Sequence, residues 1–86
     1  MRLASNLDLG AARPLWTDLS AARRQPLDLD ASDVQRLGGL CLQVLLAARA
    51  CWSADGVPFR ITNPSEPFLD ALRLMAAEEL LAEAQS

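Results

Sequence analysis

In Leu27-Asp28-Leu29-Asp30-Ala31-Ser32-Asp33-Val34-Gln35-Arg36-Leu37-Gly38-Gly39-Leu40, apolar and acidic residues alternate and then stop alternating. The period of two over Leu27–Asp30 predicts a short strand, with Leu27 and Leu29 on one face and Asp28 on the other. Ala31, Ser32 and Asp33 predict a loop. Val34 to Leu40 fits neither the strand nor the helix period, and Gly38-Gly39 breaks it. From about Gly39 to Ala54 the pattern predicts a long helix, stopped by Asp55-Gly56 with glycine at the usual C-terminal position.

The same alternation of elements continues outward in both directions. Leu3-Ala4-Ser5-Asn6-Leu7 predicts a short strand. Ala11 to Arg24 carries Leu15, Leu19 and Ala22 at helical spacing, with Pro14 tolerable in the first turn and Arg23-Arg24 suited to a helix C-terminus. Downstream, Val57 to Thr62 predicts a third strand, with Phe59 and Ile61 on one face. Ser65 is a good N-cap, Pro67 fits the first turn, and Phe68, Leu72 and Met75 form a helical stripe. Ala76 to Ala84 predicts a helical tail with Leu80 and Leu81 apolar. The order strand, helix, strand, helix, strand, helix predicts an α/β fold with a short mixed, parallel-leaning sheet. Three short strands do not cover helices on two faces, so the helices are expected on one face. Residues 1–86 are expected to form one domain.

On the long helix, Leu40, Cys41, Val44, Leu45, Ala48, Cys51 and Trp52 span an arc of about 140° and form the expected core face. Leu42 and Leu46 fall outside that arc, beside Arg49, and are expected to be exposed. Two cysteines ten residues apart on one helix are separated by roughly 15 Å along its axis, beyond the ~7 Å that a disulfide allows. They read as reduced, mostly buried thiols.

Composition removes whole classes of chemistry. The chain has 86 residues, 51% of them hydrophobic, and no histidine. That excludes the Ser-His-Asp triad, the Cys-His pair and a histidine-ligated zinc. Two cysteines fall short of a thiolate zinc site. All the basic residues are arginines, so Schiff-base chemistry and a phosphate-loop lysine are also excluded. No catalytic residue, cofactor or metal is expected. The net charge of −3 argues against nonspecific nucleic-acid binding. No apolar run reaches the length of a membrane span, and Met1 to Asn6 has no signal-peptide core. These features predict a cytoplasmic protein without membrane insertion.

The stretch Leu27 to Leu37, followed by Gly38-Gly39-Leu40-Cys41-Leu42 and Gln43-Val44-Leu45-Leu46-Ala47-Ala48-Arg49, resembles a STAS domain. This is the fold of bacterial anti-anti-sigma factors and sulfate-transporter tails. Asp55-Gly56, Phe59 to Ile61 and Asn63-Pro64-Ser65 fall in the same register, so the resemblance covers about residues 5 to 75. In the family, a loop reading roughly Val-x-x-hydrophobic-Asp-Ser/Thr-x-Gly-Leu leads into the long helix. Here the acid aligns with Gly38, the phosphorylatable hydroxyl with Gly39 or Leu40, and the glycine before the helix with Cys41. Leu37 to Leu42 holds no Ser, Thr or Tyr, so a kinase finds no acceptor oxygen there. From the resemblance, the family's first edge strand is expected to be missing from this stretch.

The resemblance implies a non-enzymatic regulatory or interaction protein of bacterial signalling, anti-anti-sigma-like or chemotaxis-associated. Its partner would be a signalling kinase, an anti-sigma factor, a chemotaxis component or a transporter ATPase, and a second copy of the chain is a further candidate. Similar small members include the STAS subunit of lipid-transport ATPases. A small-ligand or anion sensor is the alternative. The family docks partners around the loop and the start of the long helix, here Leu37, Gly38, Gly39, Leu40, Leu42 and Leu46. Leu37, Gly38, Gly39, Leu42 and Leu46 are the expected partner-binding residues, since Leu40 belongs to the expected core arc.

Other features have plainer readings. Gly38-Gly39 has the look of an anion cradle but reads as an entry turn, since no full glycine-rich fingerprint is present. Asp28, Asp30 and Asp33 suit a divalent ion by type but do not converge on a strand and loop. Ser32 and Ser65 read as loop caps rather than phosphosites. Trp16 and Trp52 read as core or half-buried packing rather than interface anchors.

Overall fold

The structure is a computed structural model and describes residues 1–81. The elements in chain order are β1 (Asn6–Leu7), α1 (Ala12–Ala21), β2 (Leu27–Asp30), β3 (Arg36–Leu37), α2 (Gly39–Asp55), β4 (Phe59–Thr62) and α3 (Glu66–Leu74). A 3-10 turn, Leu9–Ala11, runs straight into α1, and another, Glu78–Leu81, follows α3.

β2 pairs with β4, Leu27 opposite Phe59 and Asp30 opposite Thr62, and β1 pairs with β3, Leu7 opposite Leu37. A bridge between Arg2 and Asp30 joins the two pairs, with Leu3 N–H donating to the Asp30 carbonyl at 2.9 Å. Every pairing among the described residues is parallel. The mixed sheet expected from the sequence narrows to a parallel one, as the helix-containing connections between the paired strands, β1 to β3 and β2 to β4, require.

One sheet face is apolar and covered, the other charged and open. Leu27, Leu29 and Phe59 are buried, while Asp28 and Arg60 between them are exposed. The Arg60 Nε lies 3.1 Å from an Asp28 carboxylate oxygen across the strand pair. Period-two alternation thus divides the sheet as the sequence implies, and the helices pack on the apolar face.

α1 and α2 lie side by side in the same direction. At one end the Cys41 thiol donates to the Asp8 carbonyl at 3.2 Å. At the other, Arg23 contacts Asp55 at 3.0 Å, and the Trp52 indole N–H donates to the Gln25 carbonyl at 2.8 Å. The Trp52 ring packs tilted against Phe59 with centroids 5.6 Å apart, which joins α2 to β4. Gly56 closes α2 in the left-handed conformation, φ 70°, where glycine has no Cβ penalty.

Two sequence expectations fail. β3 was not anticipated, because two residues show no period. The continuous helical tail from Ala76 is not present as such. Ala76 takes φ 52° and turns the chain, Ala77 and Leu80 are buried, and only the 3-10 turn Glu78–Leu81 follows. The rest of that tail lies outside the described residues.

Candidate functional site: the start of the long helix

β3 ends at Leu37, and α2 begins two residues later with Gly38 as its N-cap in extended backbone, φ −87° and ψ 165°. Gly38 N–H donates to the Leu7 carbonyl at 2.8 Å, and the Gly38 carbonyl accepts from Leu42 N–H at 3.0 Å. These bonds fix the entry of the helix against the end of β1. No side chain caps the helix, and its first turn carries no acidic residue.

The two glycines differ in their surroundings. A Cβ on Gly38 would lie 3.3 Å from the Leu7 carbonyl oxygen, so the backbones approach closely there. A Cβ on Gly39 would meet nothing within 4 Å. Gly39 therefore opens to solvent, and a larger side chain fits it without displacement.

The phase of α2 departs from the helical-wheel expectation. Leu42 is only 5% exposed, whereas Leu40 is 49% exposed. Cys41, Leu42, Leu45, Ala48 and Trp52 form the buried face. The face is rotated toward Leu42 because α2 is gripped from several sides, by α1, by β4 and by the Glu78–Leu81 turn. A helix apolar over most of its circumference does not announce its phase in its periodicity. Of the expected partner-binding residues, Leu37 and Leu42 are buried, Leu46 is half-buried against the core and Gly38 is half-buried. Only Gly39 is exposed. The expectation that Leu42 and Leu46 lie outside the core is corrected accordingly.

The surface actually presented is made by residues the sequence reading assigned elsewhere or passed over. Leu9, in the turn before α1, is 76% exposed. It adjoins the start of α2, since the preceding Asp8 carbonyl accepts from Cys41. Trp16, on α1, is 41% exposed, so the core or half-buried packing expected of it is not what the structure shows. Leu9, Gly39 and Leu40 are thus exposed on two adjoining segments at the carboxyl ends of β1 and β3, with the Asp8 charge beside them. The one signal for Leu9 was its place between Asp8 and Gly10, where strand and helix periods both lapse.

The remaining candidates have structural roles. The Asp30 carboxylate accepts from Ser32 N–H at 2.9 Å, which, with the Ser32 hydroxyl and Arg2, holds its pKa below the usual aspartate value. Arg2 also reaches Asp33 at 3.5 Å. The three aspartates of this stretch are thus engaged by arginines and a backbone amide. Among the described residues no group of three His, Cys, Asp or Glu side chains is placed to hold a metal ion. The Ser65 hydroxyl accepts from Phe68 N–H at 3.2 Å and donates to the Val34 carbonyl, capping α3 and tying it to the loop before β3. Both cysteines are free. Burial pushes the Cys41 thiol pKa up, and the nearby Asp8 charge adds to this.

A parallel sheet layered by helices on one face only, its longest helix launched from an edge strand, defines a STAS-like α/β domain. Comparison with known families agrees: a model described as Mlab, STAS domain, matches residues 1–82, and the chain belongs to the STAS family. No curated protein and no solved structure matches the chain. STAS domains are in general regulatory and interaction modules rather than enzymes. Among the described residues no helix is long and apolar enough to cross a membrane.

Proposed function

We propose that this chain is a non-enzymatic, cytoplasmic docking module of a bacterial signalling or transport system. It engages a protein partner through the apolar patch at the start of α2 and does so without a phosphate switch in the entry loop. One observation carries this reading. Leu9 and Leu40 stand exposed on the segments adjoining the Gly38-Gly39 entry, where the family pattern places an acid at Gly38 and a phosphorylatable hydroxyl at Gly39 or Leu40. Large apolar side chains grouped at the surface of a small domain favour an interface. The loss of both polar groups converts a switchable surface into a constitutively apolar one. Regulation then acts through abundance or competition for the partner rather than through added charge.

The partner is a signalling kinase, an anti-sigma factor, a chemotaxis component or the ATPase of a lipid-transport system. The test is affinity purification of the full tagged chain from its native cell, with Leu40→Asp and Leu74→Asp compared. Leu74, at the end of α3, is also exposed but lies on a different element. Loss of the co-purifying partner with Leu40→Asp alone supports the reading. Retention with Leu40→Asp, or equal loss with Leu74→Asp, rejects it.

A further inference from the structure

The first strand is bonded to residues 27–37 with one rung of the ladder missing. On one side of the gap, the Met1 carbonyl accepts from Asp30 N–H at 2.8 Å and Leu3 N–H donates to the Asp30 carbonyl at 2.9 Å. On the other, the Ser5 carbonyl accepts from Gln35 N–H at 2.8 Å and from Arg36 N–H at 3.1 Å. Residues two apart on a strand aim their main-chain groups at the same neighbour. The Leu3 carbonyl and the Ser5 N–H therefore point into the gap.

The groups that would complete the ladder are engaged elsewhere. The pairing shifts by two residues between Arg2–Asp30 and Asn6–Arg36, which makes the stretch between them a bulge. In the first register the missing rung belongs to Ser32, whose N–H donates to the Asp30 carboxylate at 2.9 Å. In the second it belongs to Val34. Its N–H donates to the Ala31 carbonyl at 3.3 Å, and its carbonyl accepts from the Ser65 hydroxyl. Among the described residues, the Leu3 carbonyl and the Ser5 N–H have no hydrogen-bond partner.

The gap opens into a cleft of about 940 Å³, within the size range of small-molecule sites. Ala4, Val34 and Pro67 give it apolar walls, and Ser5, Ser32 and Gln35 add polar groups. Its two charged residues, Arg2 and Asp33, lie 3.5 Å apart and offset each other, so the cleft favours a neutral ligand over an ion. The hydrogen bonds on both sides of the gap leave a single rung, which is too short for an added strand. An acceptor and a donor two residues apart on one edge match one amide that presents its own N–H and C=O side by side.

From this geometry we infer that the cleft binds a small neutral molecule with a cis-amide edge, such as a lactam. The ligand N–H donates to the Leu3 carbonyl, its C=O accepts from Ser5 N–H, and its carbon skeleton lies against Ala4 and Pro67. The bound amide completes the interrupted ladder. The cleft shares no residue with the start of α2, and the inference does not depend on the docking reading.

The test titrates the isotope-labelled full chain with γ-butyrolactam and follows its backbone amides by NMR, with N-methyl-γ-butyrolactam and acetate in parallel. The lactam should move the Ser5 and Gln35 amides saturably. Its N-methyl form lacks the donor, and acetate lacks it and is charged; both should bind about tenfold more weakly, the loss of one hydrogen bond. Ser5→Pro removes the N–H and keeps the carbonyl that holds Gln35 and Arg36. It should abolish the Gln35 response while circular dichroism stays unchanged. Equal responses to the lactam and its N-methyl form, a stronger response to acetate, no saturable shift, or an undiminished Gln35 response in folded Ser5→Pro would overturn the inference. If Ser5→Pro misfolds, the comparison of the two lactams on the parent chain decides.

Discussion

Leu40→Asp and Leu42→Asp place the same charge two residues apart on one helix, and the structure separates their consequences. Leu42 is almost wholly buried. Truncating a buried leucine costs about 2–5 kcal/mol, and an aspartate there also leaves an unpaired charge in an apolar setting, which adds several kcal/mol or forces protonation. The total stability expected for a domain of this size is about 4–13 kcal/mol. Leu42→Asp should therefore be largely or wholly unfolded. Leu40 keeps about half of its surface in water, so its removal forfeits about 1 kcal/mol of burial. The new carboxylate sits in the first turn of α2, which has no side-chain cap and no acid of its own. A negative charge at a helix N-terminus returns about 0.3–1 kcal/mol. Leu40→Asp should lie within about 1 kcal/mol of the parent chain. Urea denaturation followed by circular dichroism reads both midpoints. A stable, fully folded Leu42→Asp, or an unfolded Leu40→Asp, would show that α2 is turned the other way about its axis and refute the burial argument.

Gly39→Ser should fold with unchanged or slightly raised stability, by up to about 1 kcal/mol, because its side chain enters open space and glycine's unfolded-state freedom is reduced; thermal unfolding measures it. Ser65→Ala should cost about 0.5–2 kcal/mol in denaturant titration, toward the upper end because the hydroxyl also holds the Val34 carbonyl. In the native protein a thiol reagent should modify Cys51, which is half-buried, well before Cys41, which is fully buried. Burial raises the Cys41 pKa above its ordinary 9.0, so the folded state keeps a proton that the unfolded state releases. Stability should then fall as pH rises above about 9, and Cys41→Ala should flatten that dependence; an equally steep fall in the variant would assign it to other groups.

Much of the fold was legible because local chemistry and tertiary environment agree. Leu27–Asp30 alternates, and the sheet has one apolar and one wet face. Ser65 and Gly56 mark a helix start and a helix stop, and they perform those roles in the structure. β3 was not legible, since it exists through pairing with β1 and two residues carry no pattern. The rotation of α2 was hidden for a different reason. Leucine, alanine and valine surround that helix, so the choice between Leu40 and Leu42 is made by neighbours distant in sequence. The candidate site inherits the same split. The resemblance alone proposes a place for it at the Gly38-Gly39 entry, whereas the exposure of Leu9 and Leu40 became apparent only with α1 and the first turn of α2 in position.

Hydrogen exchange, measured on the chain alone and in the partner-bound form isolated from its native cell, tests the docking face most directly. Docking on the helical layer predicts slowed exchange for Gly39 to Ala47 and for Leu9 to Trp16, with the amides of β2 and β4 unchanged. Protection confined to Leu27–Asp30 and Phe59–Thr62, with the start of α2 exchanging as freely as before, would put the partner on the open sheet face and contradict the account.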